Sequence, residues 1–156
     1  MAKRKAPNRP SVRRAAALPP PSPIRYIESS ALVAALLEAD AAARMSIRVP
    51  GRRVTSALTI AEATRALFRA RLLGRITAQQ HRAVILTLQR FIRCCHTVSI
   101  TEAILNRAAR PFPTEPVRTL DALHLATVEA LGDFLVVVTR DVRVRDNAAA
   151  LGYQVE

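Results

Sequence analysis

The stretch Phe134-Leu135-Val136-Val137-Val138-Thr139-Arg140-Asp141 decides the fold class. Its first five residues are apolar at every position, whereas a strand with one wet face alternates. Such a run marks a strand covered on both faces, as in a parallel sheet between helix layers. The acid at its end falls where an open α/β sheet binds ligands, in the crevice beyond the carboxyl ends of the strands.

The sequence around this strand alternates in the same way. Just upstream, Thr119 caps a helix over residues 120–131, which Gly132 ends in the αL conformation favoured there. Downstream, a helix over about residues 145–151 stops at Gly152, and Tyr153-Gln154-Val155 closes the sheet. Toward the N-terminus, Ile24-Arg25-Tyr26-Ile27 reads as a short strand. An Ala- and Leu-rich helix over residues 31–44 follows, with Leu32, Leu36 and Leu37 in its stripe. Arg53-Val54-Thr55 is a weaker strand. Ser56 then caps a helix whose stripe is Ile60, Ala63, Leu67 and Ala70, ended by Gly74. Thr77-Ala78-Gln79-Gln80 fits a capping box and opens a helix burying Val84, Ile85, Leu88, Phe91 and Ile92. Val98-Ser99-Ile100 is a strand, Thr101 caps a short helix, and the prolines at 111, 113 and 116 impose a loop. The alternation predicts a three-layer α/β/α sandwich around a mostly parallel sheet of four to five strands.

Composition removes several function classes. The 156 residues fit one domain, and a half-apolar chain excludes full disorder. No run approaches the ~20 uninterrupted apolar residues of a membrane span. Two cysteines exclude a disulfide framework and a four-cysteine zinc site. Tryptophan is absent and the six Phe and Tyr residues are scattered, which argues against an aromatic base-stacking platform. The 24 basic and 12 acidic side chains leave a charge of +12, and it is unevenly spread. Lys3, Arg4, Lys5, Arg9, Arg13 and Arg14 meet no acid within residues 1–23, a segment that also holds Pro19, Pro20, Pro21 and Pro23. It lacks apolar periodicity and is expected to be a disordered basic arm, with residues 24–156 as the folded domain. The arm is either a solubilising tail or a tracker of phosphate backbone. Its apolar part, residues 15–18, is too short for a signal peptide.

The few acids are informative. Glu28 follows the first strand and Asp141 the last strongly apolar one. Glu62 lies in the second turn of one helix and Asp121 in the first turn of another. Helices start at the same sheet edge where strands end, so all four can converge, although 34, 59 and 20 residues separate them. Clustered carboxylates repel one another unless a cation neutralises them, and hard oxygen ligands suit magnesium or manganese. Such an ion can activate water against a phosphodiester, while arginines hold a polyanion. Each acid also has a plain structural explanation: Asp121 complements a helix dipole, Glu62 is solvated, Asp141 forms a turn, and Glu28 ends an edge strand.

These segments resemble the PIN-domain family, and within it VapC-type toxins of bacterial toxin–antitoxin pairs, over about residues 24–155. The opening strand is Tyr26-Ile27-Glu28-Ser29-Ser30-Ala31-Leu32-Val33, and Thr55-Ser56-Ala57-Leu58-Thr59-Ile60-Ala61-Glu62 is similar to the second acidic motif. Arg118-Thr119-Leu120-Asp121-Ala122-Leu123-His124-Leu125-Ala126-Thr127 is the nearest match. Val138-Thr139-Arg140-Asp141 with Ala148-Ala149-Ala150-Leu151-Gly152 resembles the closing motif. The resemblance implies a cytoplasmic Mg2+- or Mn2+-dependent endoribonuclease, homodimeric and silenced by a cognate antitoxin whose tail enters the groove. Carried over by position, Glu28, Glu62, Asp121 and Asp141 form the acidic centre, with Glu28, Asp121 and Asp141 on metal. Ser30 and Thr139 supply supporting hydroxyls, and Arg118 and Arg140 are candidate RNA contacts. Two departures stand out: the basic arm, and Glu28, where the family has Asp. The extra methylene moves the carboxylate outward by about 1.5 Å, beyond the roughly 0.5 Å tolerance of a catalytic constellation. The metal shifts, then, or the strand adjusts.

Other residues leave alternatives open. His124 shares a helical face with Asp121, and either approaches the acidic centre or packs beneath the sheet. Arg118 either holds a phosphate or pairs with Asp121. Cys94-Cys95-His96 lacks zinc spacing, and two buried thiols at a helix end are expected. Arg52, Arg53, Arg65, Arg69, Arg71 and Arg75 form a solvated face or a contact surface for RNA or antitoxin. A PIN module that binds RNA or a protein without cutting is the alternative function. A nucleotide-binding Rossmann enzyme is disfavoured by four glycines and no G-x-G-x-x-G.

Overall fold

A computed structural model describes residues 23–156, so the expected arm lies almost wholly outside the described residues. Five parallel strands, β1 (Ile24–Ile27), β2 (Arg52–Ser56), β3 (His96–Val98), β4 (Leu135–Val138) and β5 (Gln154–Val155), form one sheet in the order β3-β2-β1-β4-β5. Helices α1 (Ser29–Leu37), α2 (Ala41–Ser46), α3 (Ala57–Leu72) and α4 (Ala78–Arg93) link β1 to β2 to β3. The chain then reverses through α5 (Glu102–Ala108) and α6 (Thr119–Leu131) to β4, and α7 (Val142–Ala150) leads to β5. β1 and β4 thus flank the point where strand order reverses, where doubly wound sheets open their ligand crevice.

Alternating side chains sort into two cores. Tyr26, Val54, Leu135 and Val137 pack with Ile104, Leu125, Val128 and Val144 of the α5–α7 layer. Ile27, Val136 and Val138 pack with Leu32, Ala63, Leu67 and Leu88 of the α1–α4 layer. β4 is buried at all four positions, as its apolar run predicts. No described helix is long and apolar enough to cross a membrane.

Several boundaries differ from the sequence reading, each for a local reason. The alanine-rich run is two helices, because Ala39 takes a φ of 54° and the Asp40 carboxylate accepts from Ala43 N–H at 2.9 Å to cap the second. β3 is His96–Val98, since its register is set by pairing with Val54–Ser56. Phe134 lies outside β4 and is 92% exposed. Gly132 has φ 93° and ψ −173°, which sends the chain straight into β4 rather than through an αL turn. Arg118 occupies the cap position of α6 without a side-chain bond, and Thr119 lies inside the helix. In α4 only Leu88 is fully buried; Val84, Ile85, Phe91 and Ile92 are half-buried. Cys94 is exposed and Cys95 half-buried, its thiol pushed up to about 11 by burial. The Thr77–Gln80 capping box and the Thr101 cap form as read. In the proline loop, Thr114 is gripped by buried Asn147 of α7, which accepts from its N–H at 2.8 Å and donates to its carbonyl at 2.9 Å. That grip anchors the loop leading into α6.

Candidate active site

Glu28 follows β1 directly and caps α1. Its N–H donates to the Val138 carbonyl at 3.0 Å, pinning the ends of β1 and β4 together. Its carboxylate is buried and well supplied with donors. Ser29 Oγ gives Oε1 a proton at 2.6 Å, while Oε2 accepts from Ser30 N–H at 3.0 Å, Thr139 Oγ1 at 2.8 Å and Ser30 Oγ. The longer side chain is therefore accommodated by folding back over its own helix N-terminus, with β1 staying in register.

Asp141 caps α7 in the same way, its Oδ1 accepting from Arg143 N–H at 2.8 Å and Val144 N–H at 3.2 Å. This carboxylate starts the helix three residues earlier than the 145–151 reading. The N–H groups of Arg140 (2.7 Å) and Asp141 (3.0 Å) both donate to Ser30 Oγ, whose own proton goes to Glu28. A hydroxyl offers one proton and two lone pairs, so Ser30 is saturated and ties the first motif to the last. Thr139 Oγ1 also accepts from Asp141 N–H at 3.0 Å.

Glu62 and Asp121 come from opposite helix layers, α3 and α6. Glu62 Oε2 lies 2.6 Å from His124 Nε2, and Glu28 Oε1 lies 3.6 Å from the same nitrogen. Ligand atoms of Glu28, Glu62 and His124 sit within 4.8 Å of one another. Burial pushes the Glu62 carboxyl up, but the hydrogen bond and charge of His124 and the Ser29 hydroxyl outweigh it and hold Glu62 below its ordinary value. Asp121 moves the other way, raised by burial and then by the charges of Asp141 and Glu28, against weaker relief from Arg118 and Arg143. Its Oδ2 is buried without a hydrogen-bond partner. Glu28 and Glu62 thus cluster with His124, and Asp121 and Asp141 reach the same edge from α6 and α7, where the charges of Asp141 and Glu28 act on Asp121 and that of Asp141 acts on Glu62.

The predicted cations divide. Arg140 is tied down, its Nε 3.0 Å from Asp40 Oδ2 and its Nη1 donating to the Thr139 carbonyl at 3.3 Å. Arg118 is exposed and forms no salt bridge among the described residues, with Asp121 or otherwise. A cleft of about 490 Å³ is lined by Arg140, Asp141, Val142 and Arg143, so among the four acids it is Asp141 that lines it. The sequence reading did not foresee Tyr26, whose hydroxyl lies 2.7 Å from His124 Nδ1, or Ser29. Tyr26 lies on β1 two residues before Glu28, which is the available signal. His124 does both things that its position allowed: it is buried, and it touches the acids.

Comparison with known proteins points one way. The PIN domain model matches residues 25–150. Ribonuclease VapC46 of Mycobacterium tuberculosis (strain ATCC 25618 / H37Rv) is 36% identical over 134 residues, covering 83% of this chain and 94% of its own. Ribonuclease VapC35 of the same strain is 33% identical over 137 residues, covering 83% and 93%. Among solved structures, VapBC2 from Rickettsia felis, bound to a DNA fragment from its promoter, superposes with a TM-score of 0.62 at 11% identity over 85% of this chain and 97% of that one, a likeness of fold alone. With the reversal-point acids and a family match over residues 25–150, the chain belongs to the PIN-domain family and groups with its VapC-type members.

Proposed function

We propose that the protein is an endoribonuclease toxin that hydrolyses RNA phosphodiesters with a divalent ion, Mg2+ or Mn2+. The observation that carries this reading is the gathering of Glu28, Glu62, Asp121 and Asp141 at one sheet edge, with a buried Asp121 oxygen left unbonded. That orphaned oxygen fits a hard cation, and beside it Glu28, Glu62 and His124 bring ligand atoms within 4.8 Å of one another. Glu28, Asp121 and Asp141 would hold it. Bound there, the ion supplies Lewis acidity toward an attacking water and toward charge on the leaving oxygen.

The chain's own residues do the rest. Glu62, ionised and fixed by His124, orients the water. Ser30 and Thr139 keep the Glu28 carboxylate facing its partners. Arg118 and Arg143 stand at the rim for backbone phosphates, and the +12 charge favours capture of a polyanion. Arg140 would contact RNA only by sharing its guanidinium with Asp40. The VapC ribonuclease relatives support the substrate class, and the Rickettsia felis VapBC2 neighbour supports a cognate antitoxin. A homodimer and a cytoplasmic location belong to the same reading.

The test is RNA cleavage by the full chain with added Mn2+. Wild type is expected to cleave and to stop when the ion is chelated, and Asp121→Asn to lose at least about a hundredfold. Cleavage by Asp121→Asn at the wild-type rate would contradict the reading. Silence from wild type with activity in Glu28→Asp would favour a module that binds without cutting.

A further inference from the structure

His124 is 1% exposed, and both of its ring nitrogens are engaged, Nδ1 with the Tyr26 hydroxyl at 2.7 Å and Nε2 with Glu62 Oε2 at 2.6 Å. Tyr26 is itself fully buried. A leucine would fill this volume without desolvating two nitrogens, so packing does not account for an imidazole. An ionised carboxylate only accepts, which places a proton on Nε2. With the ring neutral, Nδ1 offers its lone pair to the Tyr26 O–H; with the ring protonated it donates to the Tyr26 oxygen instead, and Nε2–H faces Glu62 in both forms. In the neutral form the chain of bonds runs Tyr26 O–H to Nδ1, and Nε2–H to Glu62.

This chain spans the sandwich. Glu62 rides on α3, in the layer over one face of the sheet, and His124 on α6, in the layer over the other. The two are joined over the carboxyl edge, between the pair of acids from one layer and the pair from the other. We infer that His124 is a positioning residue that sets the spacing of the two acid pairs by holding Glu62, with Tyr26 fixing its tautomer. The inference rests on the ribonuclease reading only for its kinetic consequence. Without the bond, Glu62 loses its partner across the sheet edge and the pocket loosens on the α3–α6 side, while Ser30 and Thr139 still tie Glu28 to Asp141.

The test uses the full chain and needs no RNA for its first two measurements. Long-range ¹H–¹⁵N NMR of metal-free protein is expected to show the proton of His124 on Nε2. Tyr26→Phe, which keeps the ring and removes the tautomer lock, is expected to weaken Mn2+ binding and to lower kcat on RNA about 10–100-fold with KM unchanged. His124→Gln, which retains an N–H for Glu62, recovers much of the loss that His124→Leu does not. A neutral Nδ1–H tautomer in wild type would overturn the inference. So would wild-type Mn2+ affinity in both Tyr26→Phe and His124→Leu; if the latter fails to fold, Tyr26→Phe decides alone. Wild type that never cuts RNA would defeat the ribonuclease reading, while the tautomer and Mn2+ affinity would still judge His124.

Discussion

Arg25 and Glu28 stand three residues apart at the same strand, both buried, and the molecule treats their charges in opposite ways. Arg25 is neutralised internally. Its guanidinium donates to both carboxylate oxygens of Glu156, at 3.1 and 2.5 Å, and to the Ser46 carbonyl at 3.2 Å. Glu28 meets hydroxyls, one backbone N–H and the nearby Glu62 carboxylate, its charge is felt by Asp121, and among the described residues its one close group that could carry positive charge is His124 at 3.6 Å. A buried charge without an opposite partner is costly, so a fold keeps such a group where something from outside completes it. One end of β1 is built to hold the sandwich shut, and the other to receive a cation.

The largest effect that sharpens this contrast is on the paired side. Glu156→Ala leaves Arg25 buried with no carboxylate partner, held by the Ser46 carbonyl only. Because the Glu156 side chain is 42% exposed, the loss falls between that of a surface pair and that of a broken buried one, about 1–3 kcal/mol in urea denaturation. RNA cleavage per folded molecule should not change. A loss below the noise would mean that Arg25 contributes packing alone.

The unpaired side should respond in the reverse sense. In metal-free protein Asp121→Asn removes a desolvated charge that faces Asp141 and Glu28. Its Tm is expected to rise by about 2 °C, a sub-kilocalorie gain in a chain of this length, while cleavage is lost. A fall in Tm would show that the carboxylate is already compensated within the chain.

The smallest effect is in the pH dependence, where the two regions have opposite slopes. The hydrogen bond from Arg25, against a lesser desolvation cost, holds Glu156 below the usual carboxylate range. The unfolded chain then binds its proton more readily, so this stability is complete above the ordinary carboxylate value near 4.3 and is lost as pH falls through the depressed one. Asp121 is raised, so the folded metal-free chain binds that proton more tightly. Its contribution is best at low pH and declines as pH climbs from the ordinary aspartate value near 3.9 through the raised one. Thermal melts from pH 3 to 7 should lose the acid-side fall in Glu156→Gln and the rise-side decline in Asp121→Asn. Unchanged profiles in either variant would dissolve the contrast.

Much of this was legible in the sequence because parallel α/β topology turns sequence position into place. An acid just after a strand and an acid in a helix's first two turns must share an edge, which is how Glu28, Asp141, Asp121 and Glu62 were foreseen together. What stayed hidden depends on partners far along the chain. Nothing local says that Asp40 breaks the alanine-rich helix and spends Arg140, a hundred residues away. The fold-back of Glu28 relies on Thr139, and the depth of His124 on Tyr26 and Glu62. The start of α7 is hidden because Asp141 is both a site residue and the cap of that helix. Phe134 looked like strand because apolarity marks burial only when a neighbour arrives to cover it.

On this reading, carboxylates from both helix layers gather at one sheet edge and a divalent ion completes the site. Thermal unfolding of wild type and Asp121→Asn with and without Mn2+ tests it without any substrate. At Mn2+ a hundredfold above its Kd, wild type should gain about 2.7 kcal/mol, and Asp121→Asn should gain far less at the same concentration. A wild type indifferent to Mn2+, or equal gains in both proteins, would contradict the account.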